Sequence, residues 1–140
     1  MRPSERVIQI YPVSASAPTG AGVAKALMRE ITEALGEYVR TRRSHVIDLT
    51  GMPLSEEDRQ YLDRRLGRGE LSINIDAIFC TRIEETRYAG VWRVRHYGSD
   101  GELRGERIEV IDVPEIVRAG SADIARCARR LEAANIEEGA

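Results

Sequence analysis

The feature that most constrains the fold is a run of short β-strand patterns between Gly67 and Pro114. Within this run, apolar residues alternate with polar ones, which is the period of a strand that has one buried face. Strands joined by such short connections pair as antiparallel neighbours. The sequence therefore predicts an antiparallel sheet of about four strands. The predicted strands are Leu71–Cys80, Arg82–Tyr88, Val91–Tyr97 and Glu102–Ile111.

Helical patterns flank this region and predict an α+β fold. Val23–Arg40 and Ser121–Ala134 carry apolar residues at helical spacing, and we expect these two helices to cover one face of the sheet. Ser55 is predicted to cap a further helix. Val7–Val13 adds a possible edge strand, and residues 135–140 form an acidic tail that we expect to be frayed. The 140 residues fit one domain.

Composition excludes several functions. The net charge of −2 argues against general nucleic-acid binding, which favours basic domains. No stretch of the sequence has membrane-spanning length, and the start lacks a signal-peptide pattern, so a cytoplasmic location is expected. Cys80 and Cys127 are too far apart to form a local metal site. We therefore expect no metal site.

The hairpin between the last two predicted strands determines which side chains share a face. A three-residue loop at Ser99–Gly101 places Trp92 opposite Ile108, so that the tryptophan is buried among aliphatic side chains. The alternate positions then face solvent or a partner, and replacing their arginines by serine should leave melting nearly unchanged. The predicted partner-binding residues are Arg93, Arg95, His96, Tyr97 and Arg107.

The sequence contains no recognisable catalytic set, so an enzyme is not predicted. The glycine-rich segment Pro18–Lys25 lacks the Gly-Lys-Ser/Thr of a phosphate-binding loop and the final glycine of a dinucleotide fingerprint. His45 and His96 stand apart from any nucleophile or metal-ligand group. One alternative stays open, namely a small enzyme or ligand-binding domain with a pocket between sheet and helices, lined by His96, Glu106 or Tyr97.

Four segments, taken in order, resemble the HupH/HyaF/HoxQ family of accessory proteins from nickel–iron hydrogenase operons. They are IDLTGMPLSEEDR from residue 47, LGRGELS from residue 66, TRYAGVWRVRHY from residue 86 and ERIEVIDVPEIV from residue 106. The chain differs from the family's pattern at Arg93, where members commonly carry a second tryptophan. It also carries one of the two related regions that members usually contain.

This resemblance implies a non-catalytic role in hydrogenase maturation. It implies an assembly chaperone that binds the immature iron–sulfur small subunit, or other maturation proteins, without a cofactor of its own. The single region suggests a homodimer, for which the polar segment Arg82–Tyr88 offers an edge strand.

Overall fold

The computed structural model describes residues 20–139, which form three α-helices and five β-strands. The predicted strand Val7–Val13 lies outside the described residues. The α+β fold and the antiparallel sheet are confirmed. In chain order the elements are α1 (Gly22–Thr41), β1 (His45–Asp48), α2 (Glu56–Leu66), β2 (Ser72–Asp76), β3 (Cys80–Glu85), β4 (Val91–Tyr97), β5 (Leu103–Val110), a 3-10 turn (Glu115–Val117) and α3 (Ser121–Gly139).

The sheet has the strand order β1-β5-β4-β3-β2, with every neighbouring pair antiparallel. The predicted strand Leu71–Cys80 is interrupted, because β2 ends at Asp76 and the chain turns through Ala77–Phe79 before β3. The expectation that Arg82–Tyr88 supplies an edge is wrong, since β3 lies between β2 and β4.

Helices α1 and α2 pack on one face of the sheet, which we call the helical face. Leu27 and Ile31 of α1 meet Leu62 of α2 over Ile47 and Ile108 of the sheet, and all five are buried. The apolar positions of α1 recur at helical spacing, so that one stripe of the helix enters this core. Ser55 caps α2 as predicted, in a reciprocal arrangement with Asp58.

Helix α3 does not cover the sheet, so the expectation that it packs beside α1 is wrong. All of its described residues are exposed, and the helix continues to Gly139, beyond the predicted end at Ala134. The reason is that α2 takes the second place on the helical face, where Leu62 and Leu66 complete the core. The helix begins at Ser121, the first residue of the predicted segment.

The register of the β4–β5 hairpin differs from the prediction. The loop closes as expected, with the Gly98 amide donating to the Glu102 carbonyl at 2.9 Å. One residue later the pairing shifts, so that Trp92 lies opposite Glu109 instead of Ile108. This bulge exchanges the faces of β5 relative to β4. Trp92 is buried as predicted, but its face is the one opposite the helices, shared with Ile83 and Val94.

Candidate functional site

A cavity of about 570 Å³ opens where β1, the middle of β5 and the end of β4 meet. Opposing residues of antiparallel strands point to the same side, and Asp48 faces Arg107 across β1 and β5. His96 shares that side because β4 pairs with β5. The cavity is lined by Ser44, His45, Val46, Asp48, Thr50, His96, Glu106, Arg107, Glu109, Ile111, Glu115 and Ile116.

His96 is held in one neutral form by its two neighbours. Arg107 Nη1 lies 3.1 Å from His96 Nε2, and a guanidinium can only donate, so Nε2 is the acceptor. The proton is therefore on Nδ1, which donates to Thr81 Oγ1 at 2.9 Å. Burial, and next the positive charge of Arg107, lower the pKa of His96 below 6.5, although Glu109 opposes the shift.

The remaining charge of the cavity is acidic. Arg107 is already bound by Glu109 of the same strand, so its positive charge is compensated within the cavity. Asp48 and Glu115 add two carboxylates to the lining, and Ile116 adds an apolar lip that is 45% exposed. The arrangement suits a partner segment that carries a basic group beside an apolar one.

An ion-pair network lies on the helical face beyond the apolar core and shares Glu106 with the cavity lining. Arg93 donates to Asp63 at 2.6 Å and to Glu106 at 3.0 Å. Arg95 donates to the same Glu106 oxygen at 3.1 Å and to Glu84 at 3.1 Å. Arg93 and Glu106 are buried, and Arg93 Nε is the one buried side-chain nitrogen or oxygen of the described residues that lacks a hydrogen-bond partner. These contacts make the two arginines internal counter-ions of the domain.

The structure therefore divides the predicted site residues. Arg107 and His96 line the cavity, whereas Arg93 and Arg95 lie on the helical face with Tyr97. The expectation that three arginines share one face is wrong, because the bulge turns Arg107 to the other side. The role of all five predicted residues in partner binding stays a prediction. The carboxylates of the cavity belong to no local sequence motif. The pairing of β1 with β5 is what brings Asp48 close to Arg107 and Glu109.

The glycine-rich entry to α1 is occupied by the protein's own carboxylates. The Ala24 amide donates to Asp58 Oδ1 at 2.9 Å, and the Gly20 amide donates to Glu57 at 3.2 Å. The helix N-terminus attracts negative charge, and a fully buried side chain already supplies it. These contacts agree with the rejection of a phosphate site in this segment.

The two glycines of the LGRGELS segment lie in the connection between α2 and β2. Gly67 ends α2 with a φ of 58°, and a Cβ there would lie 2.4 Å from Arg87 Nε. A Cβ on Gly69 would lie 2.5 Å from the carbonyl oxygen of Thr86. The segment is thus a close-packed connection, and its two glycines need no ligand to explain them.

Among residues 20–139 no group of three or more metal-binding side chains comes together. Cys80 and Cys127 are both free thiols, on β3 and α3. In the same part of the chain, no helix combines the length and the hydropathy needed to span a bilayer.

A five-stranded antiparallel sheet with two helices on one face, and a polar cavity lined by residues of β1, β4 and β5, defines a small α+β domain. Comparison with known proteins gives the family. The chain belongs to the HupH family, since residues 22–136 match the family model described as "HupH hydrogenase expression protein, C-terminal conserved region". The family suspected from the sequence is thereby confirmed.

Several curated relatives support this assignment. The hydrogenase expression/formation protein HoxQ of Azotobacter vinelandii is 40% identical over 71% of this chain and 35% of its own length. The corresponding protein HupH of Rhodobacter capsulatus is 36% identical over 81% of this chain and 42% of its own length. The chain thus spans less than half the length of these two relatives.

A solved structure confirms the fold. The hydrogenase expression protein HupH from Thiobacillus denitrificans superimposes with a TM-score of 0.74 at 36% identity. The match covers 84% of this chain and 99% of that chain. The architecture is therefore that of a HupH domain.

Proposed function

We propose that this chain is a non-catalytic accessory protein of nickel–iron hydrogenase maturation. It binds the immature iron–sulfur small subunit, or another maturation protein, in the cytoplasm and releases it once assembly has advanced. The observation that carries this proposal is the family match over residues 22–136, together with relatives that are hydrogenase expression/formation proteins.

We place the docking surface at the cavity between β1 and β5. Its exposed apolar lip at Ile116 and its acidic lining give a partner both a hydrophobic contact and a charge contact. His96 and Arg107 form the floor, so two of the predicted partner-binding residues act there. Arg95 and Tyr97 are partly buried at the far end of the helical face, and a second contact of the same partner would involve them.

The test is co-purification of the tagged chain with a cluster-free small-subunit precursor at low and high salt. Ile116→Asp should weaken capture, because it places a charge on the apolar lip. Val39→Asp is the matched control, since Val39 is a 79% exposed residue on α1. If the parent chain captures no precursor, the chaperone function is wrong. If both variants capture the precursor equally well, the docking surface does not lie at the cavity.

A second candidate function is the binding of a small ligand in the same cavity. The cavity has room for a small molecule and is lined by His96 and Glu106, two of the residues named for that alternative. No residue of α1 or α2 lines it, so it does not lie between the sheet and the helices as that alternative expected. Both ring nitrogens of His96 are already hydrogen-bonded, which favours binding over proton transfer. The first tests are a thermal-shift series with free arginine, as a compact cation, and with acetate, as an anion. Stabilisation by arginine that Asp48→Asn abolishes would support a ligand site.

A further inference from the structure

Helix α3 exposes an apolar stripe. Its 19 residues include none that is buried, and Ile124 and Leu131 are 57% and 64% exposed. In water, an amphipathic helix gains most of its stability from packing its apolar face rather than from intrinsic propensity. A fully exposed helix with this pattern is therefore a surface for association.

The order of residues along the stripe is self-complementary. Ile124, Cys127, Ala128 and Leu131 follow the i, i+3, i+4, i+7 spacing of one helix face. A large residue stands at each end and two small ones stand at the centre. If two copies cross antiparallel about that centre, each Ile124 meets Leu131 of the other copy. The small central residues then let the backbones approach closely.

The flanking charges favour the same arrangement. Asp123 and Arg130 are seven residues apart, about two helical turns, and so lie on one flank of the stripe. Antiparallel pairing brings equal flanks together, with Asp123 of one copy beside Arg130 of the other. Parallel pairing would instead place this flank beside the opposite flank of the other helix, so Asp123 and Arg130 would not meet. Asp123 is bound to Arg126 of its own helix, but both side chains are exposed and free to exchange partners.

We propose that α3 is a self-association surface, which pairs antiparallel with α3 of a second copy of this chain. Nineteen residues give a helix of about 28 Å. A pair of that length falls short of the roughly 1,200–2,000 Å² of a standard interface. The dimer is therefore weak, and its population rises with protein concentration. This interface replaces the strand edge at Arg82–Tyr88 as the basis for a homodimer.

The test is sedimentation equilibrium of the full chain over a wide concentration series. The parent should shift from monomer toward dimer, and Ala128→Glu should raise the dissociation constant at least tenfold by placing two carboxylates at the axis. Ala133→Glu, the same change on the opposite side of α3, should leave the dissociation constant unchanged. A parent that stays monomeric throughout would overturn the proposal. So would a dimer that Ala128→Glu leaves intact, because another surface would then form it.

A charge exchange tests the orientation of the two helices. Arg130→Asp alone should weaken the dimer by placing two acidic groups together, and the double variant Asp123→Arg/Arg130→Asp should restore it. Failure of the double variant to restore association would exclude the antiparallel register. Unchanged thermal melting of all variants would show that the domain itself is intact, since α3 contributes nothing to the buried core.

Discussion

Replacing Arg93 tests whether this buried arginine stabilises the fold through its ion pairs, in contrast to the exposed arginines of the chain. In Arg93→Met the aliphatic stem is retained, while the guanidinium and its bonds to Asp63 and Glu106 are lost. Truncating one partner of a buried ion pair costs about 3–5 kcal/mol, because the other charge is left buried without compensation. Two features of the site reduce this free-energy cost. Arg95 still holds the Glu106 carboxylate, and Asp63 is 64% exposed, so water can solvate it.

We therefore expect Arg93→Met to lower the free energy of unfolding by about 2–3 kcal/mol. For a chain of 140 residues this corresponds to a melting temperature lower by about 10 °C. Urea denaturation should show a lower midpoint with an unchanged slope. The expectation that serine in place of the arginines leaves melting unchanged is thereby revised for Arg93.

A matched control separates burial from charge. Arg126→Met removes an exposed arginine that is paired with Asp123 on α3, and it should change the free energy of unfolding by less than about 1 kcal/mol. A double-mutant cycle with Glu106→Gln should give a coupling energy of about 1–2 kcal/mol. If Arg93→Met proves as mild as Arg126→Met, the ion pair contributes no net stability and our account of it is wrong.

Three further predictions concern the core, the chain path and pH. Trp92→Ala should lower the free energy of unfolding by about 3–5 kcal/mol, measured by urea titration, because a buried large aromatic is lost. Gly69→Ala should lower the melting temperature, since its Cβ would meet the Thr86 carbonyl, whereas Gly22→Ala, with nothing within 4 Å, should not. The pKa of His96 is lower in the folded state than in the unfolded state, so protonation favours the unfolded chain. The contribution of neutral His96 to stability is therefore complete above about pH 6.5 and is lost as the pH falls toward the pKa of the folded state. Replacing His96 by glutamine should flatten stability between about pH 7 and pH 5.

Much of the fold follows from local sequence signals. The cap at Ser55 and the positive φ of Gly67 mark the two ends of α2, and each is a short-range preference that a sequence displays directly. The β2–β3 turn was missed because Ala77–Phe79 contains no glycine, proline or asparagine to mark it. Because the residues of this turn are apolar, the sequence pattern of the strand continues through it and gives no sign that β2 ends at Asp76.

The bulge in β5 explains the main error at the candidate site. A glycine inside a strand pattern is a signal for a bulge, and Gly105 interrupts the segment Glu102–Ile111 at this point. Regular pairing from the correctly predicted loop therefore placed the residues of β5 from Gly105 onward one position away from their observed partners. Ion pairs between distant elements, such as Asp63 with Arg93, could not be predicted because they depend on how α2 lies across the sheet.

The difference from the family pattern at position 93 acquires a physical meaning from this geometry. Where family members commonly carry a second tryptophan, the side chain is directed to the buried helical face rather than to a partner. An arginine there requires counter-charges, and Glu106 and Asp63 provide them. The substitution is thus a change of interior chemistry. Residue 93 is therefore not part of the docking surface proposed above, whose apolar contact is the exposed Ile116.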